Sequence, residues 1–262
     1  NMSRYTGYNQ SGFANSTVAV TRAASGITTP IDFANTELTT LYLPFNDDVN
    51  DDSSFSQTIT NRGSMTIDST YTKFGSNALK SQTSGSLKID NSTSTDFDGN
   101  GHFTIEFFLY VVTPQSTKSI YTHNEYNDSY QGLVFFTGGS GRIYGYASSN
   151  GSSWNIFSNK DFGVPSTGAW HHVAMTYDGT TYRGYLDGTR AWEQTSSDTT
   201  GTGGDHYIFS RNDGGQYQPS TGSYYMDDFR ITKGKALYTD ASITVPTSAL
   251  GIEQEDPVSL YL

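Results

Sequence analysis

The side chains in this 262-residue sequence that could do acid–base chemistry are few and badly spaced for it. There are six glutamates: Glu37, Glu106, Glu125, Glu193, Glu253 and Glu255. Glycoside hydrolysis needs two carboxylates on one cleft, about 5–5.5 Å apart in retaining enzymes. On a strand that means alternate positions of one face. Only Glu253 and Glu255 are so spaced, and they lie near the C-terminal end. No serine occupies a G-x-S-x-G elbow and there is no cysteine to act as a thiol nucleophile. Five histidines occur: His102, His123, His171, His172 and His206. His171-His172 is tempting as a metal pair, but adjacent strand residues point to opposite faces and cannot easily chelate one ion.

Binding chemistry is better supplied. Asp and Asn are frequent, and such oxygens suit calcium, a hard cation that takes six to eight of them. Tyrosine occurs 19 times. Exposed aromatic faces hold the apolar side of a sugar, while Asn, Asp and Gln reach its hydroxyls. The candidates for contact with a cell-surface glycan fall in three clusters: Tyr121, Tyr126 and Tyr130; Tyr144, Tyr146 and Trp154; Asn212 and Tyr217. Tyrosine is also simply a good strand residue with one wet end.

The elements that would position these residues are strands. Ala169–Gly188 (AWHHVAMTYDGTTYRGYLDG) reads as a hairpin, with strands at His171–Tyr177 and Thr181–Leu186 joined at Asp178-Gly179-Thr180. Alternation places Val173 and Met175 on one face, and His172, Ala174 and Thr176 on the other. Leu38–Phe45, Gln57–Ile67 and Asn77–Ile89 read as strands before it. Phe103–Val112 is the most apolar stretch, with Phe103, Ile105, Phe107 and Leu109 on one parity and Thr104, Glu106, Phe108 and Tyr110 on the other. Shorter strands follow within Lys118–Tyr130 and Gly132–Tyr146 and at Trp154–Phe157; Tyr207–Ser210 and Met226–Thr232 come after the hairpin. No long window shows helical spacing.

Composition agrees with an all-β chain: 27 glycines, 19 tyrosines and few glutamates. The net charge of −11 argues against nucleic acid and against an anionic membrane surface as partners. No stretch approaches the ~20 apolar residues of a membrane-spanning helix, and the first ten residues carry no apolar run of the signal-peptide kind. The absence of cysteine suits assembly in a reducing cytosol, and many exported bacterial proteins also manage without it. Residues 1–35 mix small polar residues with Val18, Val20, Ile31 and Phe33, and read as an extended arm with something to bury against a neighbouring subunit.

Four stretches carry a resemblance. The hairpin is similar to the central "W-hh-A-hT-D-G…hhh-DG" hairpin of the laminin G-like jelly rolls, in the concanavalin A-like lectin/glucanase superfamily. Leu41–Asp47 (LYLPFND) resembles their opening strand. FGSNALKSQTSGSLKI followed by HFTIEFFL resembles their "G-ALhF-G…F-TIEFWh" segment, and Tyr225–Tyr238 (YMDDFRITKGKALY) their closing strand. The resemblance implies an antiparallel two-sheet β-sandwich of about 12–14 strands, with three parts: the arm at 1–35, a jelly roll at 36–250 and a docking tail at 251–262. In some relatives a calcium ion lies between the residues after the opening strand and the closing acidic pair, which here are Asn46, Asp47, Asp227 and Asp228. The opening and closing motifs look like those of structural proteins in tailed bacteriophages. The expectation is therefore a non-enzymatic virion protein, a capsid decoration or fibre/tail adhesin, homo-oligomeric or bound to other virion proteins through its arm. The alternatives are a carbohydrate-binding module of a bacterial secreted or surface protein and, remotely, a glycoside hydrolase.

Overall fold

The hairpin is built where its residue types place it. Gly179 turns the chain at φ +87, and the Asp178 carboxylate accepts from the Thr180 and Thr181 amides at 3.0 and 2.8 Å. The structure is a computed structural model and describes residues 38–97, 101–124, 131–200, 203–212 and 215–253. The arm expected at 1–35 lies outside them. In chain order the strands are β1 (Thr39–Leu43), β2 (Ile59–Arg62), β3 (Thr66–Asp68), β4 (Ala78–Lys80), β5 (Ser86–Ile89), β6 (Phe103–Val111), β7 (Lys118–Asn124), β8 (Leu133–Thr137), β9 (Ile143–Ala147), β10 (Phe157–Gly163), β11 (Trp170–Tyr177), β12 (Thr181–Leu186), β13 (Thr189–Thr195), β14 (Asp205–Ile208) and β15 (Tyr224–Lys233). Among the described residues no helix is long and apolar enough to cross a membrane.

The strands form two antiparallel sheets of a sandwich. One runs β13-β12-β11-β6-β15-β4-β3, with β1 also paired to β15; the other runs β10-β9-β8-β7-β14-β5-β2. Two expected long strands are each divided between the sheets. Gln57–Ile67 becomes β2 in one sheet and β3 in the other, and Asn77–Ile89 becomes β4 and β5 in the same manner. Gly63 makes the first corner at φ +66, where any Cβ would fall 1.8 Å from the Ser84 carbonyl oxygen. Strand β13 was not expected; its alternate residues are exposed and its inward Trp192 packs on Phe157 and Phe162.

The core follows the alternation. Phe103, Ile105, Phe107 and Leu109 of β6 join Val173 and Met175 of β11 in the interior, facing Tyr121, Phe135 and Ile208 of the opposite sheet. Burying each such side chain is worth about 1.5–3 kcal/mol.

The other face of β6 is closed as well, by different means. Glu106 is fully buried there. Its Oε1 accepts from Arg230 Nη2 and Nε at 2.5 and 3.1 Å. Its Oε2 accepts from His172 Nε2 at 3.0 Å and the Tyr238 hydroxyl at 2.7 Å. Burial alone would push this carboxyl up; the His172 hydrogen bond and the Arg230 charge outweigh it and hold it down to about 2. Residues 235–253 form the strap over the face. Arg230 Nη1 donates to the Leu250 and Gly251 carbonyls at 2.8 and 3.1 Å, and Asp228 accepts from the Leu250 amide at 2.7 Å. The strap also bonds the β12–β13 turn through Ile243 N to Gly188 O, 2.8 Å, and ends beside β1 with Leu38 N to Glu253 O, 2.9 Å.

Inside the core, His123 of β7 and His206 of β14 are register partners whose rings stack at 4.6 Å. His206 Nδ1 meets the Tyr121 hydroxyl at 2.6 Å and His123 Nε2 the Gly203 carbonyl at 2.8 Å. Burial pushes both imidazoles down, His123 to about 4 and His206 well below its ordinary value.

Two predictions follow from these buried groups. Arg230→Met leaves the Glu106 charge without its main partner, so urea denaturation should show a loss of about 3–5 kcal/mol. For the histidines, the folded pKa lies below the unfolded one, so the unfolded chain binds its proton first. The stability of neutral His123 is present above pH 6.5 and is lost as the pH falls toward about 4. Asp227, pushed up to about 7 chiefly by burial, works in the opposite sense over much of that range. The readout is therefore a difference: His206→Leu should lose less melting temperature than the unmodified protein between pH 7 and pH 4.5, and equal losses would contradict it.

Candidate functional site

The outer face of the seven-stranded sheet is where partly exposed aromatic residues gather. On β9, Ile143, Gly145 and Ala147 face the core, and Tyr144 and Tyr146 face outward. Register then sets their neighbours: Tyr144 pairs with Phe136, and Tyr146 with Val134, which pairs onward with Thr122 and Tyr207. Val134, Thr122 and Tyr207 are buried, whereas Phe136, Tyr144 and Tyr146 stay partly open. The open corner is thus the β8–β9–β10 end. Gly138 leaves room there for the Tyr144 ring, which a Cβ would approach to 2.4 Å and displace.

Two loops complete the corner. In the first, Asn150 Oδ1 accepts from the Ser152 and Ser153 amides at 2.9 and 3.1 Å, and Asn155 Oδ1 from the Ser149 amide at 2.9 Å. This compact turn delivers Trp154, whose ring lies 5.2 Å from that of Tyr146 at 51°. The Tyr146 hydroxyl donates to the side chain of Asn159, a residue at φ +51. In the second loop, Arg211 N donates to Gln216 O at 3.0 Å, and Ser119 N to Tyr217 O at 2.8 Å. Tyr217 takes φ +58, uncommon for a bulky residue. Its ring is exposed, stands edge-on to Phe136 at 5.4 Å, and carries the Arg211 guanidinium 5.3 Å from its centre.

The structure therefore brings together Tyr144, Tyr146, Trp154 and Tyr217 of the expected sugar contacts. Tyr121 is fully buried in the core, bonded to His206, and offers no ring face to a ligand. Asn212 is buried; its carbonyl accepts from Gly215 N and Ser210 Oγ, closing the loop that carries Tyr217. Tyr126 and Tyr130 lie outside the described residues. Three members of the corner were missed by sequence reasoning: Phe136, Asn159 and Arg211. Only Phe136 had a signal, as an aromatic alternating with the inward Phe135 of β8.

Three of the four residues expected at calcium accept from protein donors. Asn46 Oδ1 accepts from Ser76 N at 3.1 Å, and Asp227 Oδ2 from the Lys73 and Phe74 amides at 2.8 and 3.1 Å, so these two hold opposite ends of one loop. Asp228 Oδ1 accepts from the Tyr42 hydroxyl at 2.6 Å and Oδ2 from the strap, while Asp47 is exposed. Among the described residues no three His, Asp or Glu side chains cluster as metal ligands would.

The adjacent histidines diverge as their parity requires. His172 faces Glu106. His171 Nδ1 meets Asp187 Oδ2 at 2.6 Å, and its Nε2 meets Ser166 Oγ at 3.1 Å and Ser166 O at 3.0 Å. The connectivity is that of a serine triad, and the hydrogen bond to the Asp187 carboxylate pushes the imidazole up; Nε2, however, is as near to the Ser166 carbonyl, which can only accept, as to the hydroxyl, so the ring ties two turns together.

Comparison with known proteins sets this fold in context. No curated protein matches the sequence. Among solved structures, the binding domain of Paraclostridial mosquitocidal protein 1 is similar over 76% of this chain and 49% of that one, with TM-score 0.61 and 13% identity. Domain 4 of AbnA, a GH43 extracellular arabinanase from Geobacillus stearothermophilus solved with arabinotriose, is similar over 76% of this chain and 94% of that one, with TM-score 0.56 and 15% identity. The botulinum neurotoxin serotype G binding domain is similar over 76% and 48%, with TM-score 0.57 and 14% identity. The chain thus spans about half the length of the two toxin binding domains. The sequence model described as the concanavalin A-like lectin/glucanases superfamily matches residues 81–240. With the sandwich, the hairpin and the closing strand all in place, the chain belongs to the concanavalin A-like lectin/glucanase superfamily.

Proposed function

We propose that this domain binds a glycan, without catalysis, at the open corner of its seven-stranded sheet. The observation that carries the reading is the convergence of Tyr146, Trp154 and Tyr217, from a strand and two loops, onto one partly exposed surface. Aromatic faces of this kind hold the C–H face of a pyranose, and Asn159 stands beside them to meet hydroxyls. The arabinotriose complex of the arabinanase domain supports the reading by analogy of fold. Against hydrolysis, the described residues of this corner supply one carboxylate, Asp161, and it is bound to Arg142 at 2.7 Å; both glycosidase mechanisms need two.

The setting in which we place this activity is a bacteriophage particle. The support is the likeness of LYLPFND and DDFRITKGKALY to phage structural proteins, together with the apolar residues of the arm at 1–35. Held in many copies, even a millimolar site becomes useful through avidity.

Two measurements test these readings. On an array of bacterial and plant glycans the protein should retain at least one, and Tyr146→Ala or Trp154→Ala should weaken it by about tenfold or more with the fold intact; no retention by folded protein would overturn the glycan reading. By light scattering the full chain should form a defined oligomer and a version beginning at Thr36 a monomer; two monomers would remove self-assembly from the role of the arm.

A further inference from the structure

We infer that the glycan bound at this corner is a linear oligosaccharide laid lengthwise along β9, in contact through at least two successive sugar units. The inference rests on the glycan-binding reading above and narrows it to a substrate class. Its basis is a repeat in the surface. Tyr144 and Tyr146 stand on the outward parity of β9, both half-buried, about 7 Å apart along the strand. Each has a polar partner on β10. The Tyr146 hydroxyl donates to the side chain of Asn159. Tyr144 lies opposite Asp161 in register, and Asp161 Oδ2 accepts from Arg142 Nη1 at 2.7 Å. Asn159 and Asp161 are exposed and, like the rings they accompany, two residues apart. An aromatic ring with a hydrogen-bonding neighbour therefore occurs twice in succession.

A sugar ring is about the size of one aromatic ring, so a single unit covers one of these tyrosines and leaves the next uncovered. One such contact is weak, because its hydrogen bonds mostly replace those made to water and it must offset the lost freedom of the ligand. A second unit linked to the first adds its contacts without a second loss of that kind. The polar groups suit hydroxyls at both positions. Asn159 accepts from Tyr146 and donates one Nδ2 hydrogen to Ser158 Oγ at 3.3 Å, with a second to give. Asp161 Oδ1 accepts from the Gly163 amide at 2.8 Å, and each of its oxygens keeps a further lone pair. The surface is ordered before a ligand arrives: Gly138 leaves room for the Tyr144 ring, and Asn159 takes φ +51, a conformation that asparagine tolerates. Beyond Tyr144 the aromatic file continues to its register partner Phe136 and to the exposed Tyr217, which gives further units a place to lie.

The test is a length series. Cello-, xylo-, malto- and arabino-oligosaccharides, from the monosaccharide to the hexasaccharide, are titrated by calorimetry into the full chain. In at least one series the affinity should rise tenfold or more with length, with one oligosaccharide bound per protein. Tyr144→Ala should bring the long members down to the affinity of the short ones. Arg142→Gln, which removes one donor and leaves the ring, should lower the long members by a smaller factor. Near-ultraviolet circular dichroism and melting temperature establish that each variant is folded, and if Tyr144→Ala fails to fold, Arg142→Gln and the length dependence of the unmodified protein decide the question. Equal binding at every length, two monosaccharides bound per protein with no gain on linking, or a Tyr144→Ala variant that keeps the full rise would overturn the lengthwise assignment and leave glycan binding standing. Absence of binding to all four series overturns it as well, and the array above then decides whether glycan binding survives.

Discussion

Glu106 carries its charge to the middle of the eight-stranded sheet, on the face turned away from the core, and the chain must surround it with donors to keep it there. Arg230 and His172 come from the two strands that flank β6, and Tyr238 from the strap that follows β15. Isolated, a buried carboxylate would be strongly unfavourable. Its presence therefore fixes the register of β11 and β15 against β6 and fastens the strap through Arg230 to Leu250 and Gly251. Thr104 and His172, outward on this sheet, are buried beneath the strap, and Phe108 and Asp227 beneath the loop at Lys73 and Phe74. One side of the sandwich is closed by its own chain.

That closure gives the opposite sheet its importance. Its outward residues are sealed at the centre, around Thr122 and Tyr207, and open toward β10. The two loops that frame the open corner are rich in turn chemistry, and they carry the strained residue Tyr217. A rigid sheet with ordered loops at one corner is the arrangement in which binding residues are commonly displayed. The same physical economy explains the glycines: Gly138 yields space to the Tyr144 ring, and Gly184 of β12 to Trp192.

Much of this was legible in the sequence, and the limits are physical. The hairpin was legible because Asp-Gly between alternating strands specifies a turn and a register together. Strand β6 was legible because its two parities differ so sharply. The corners within Gln57–Ile67 and Asn77–Ile89 were not, since a strand that changes sheets keeps its β-type composition and differs only by a glycine at the bend. The Glu106 network was not, since its members are separated by up to 132 residues and only the fold makes them neighbours. Tyr121 was misread for a related reason: a tyrosine on a strand carries no mark of which way it faces, and a bulge between Ser119 and Tyr121 shifts the local parity. Arg211 gave no signal at all, as one cation in a polar loop.

In the proposed reading, ligand is held at the β8–β10 corner and not on the strap-covered sheet. The most direct measurement is amide hydrogen exchange on the full chain, with and without the tightest-binding glycan. Binding at the corner should add protection in residues 133–147, 154–161 and 211–217, and none in 235–253. Protection confined to the strap and to β6, β11 and β15 would contradict it.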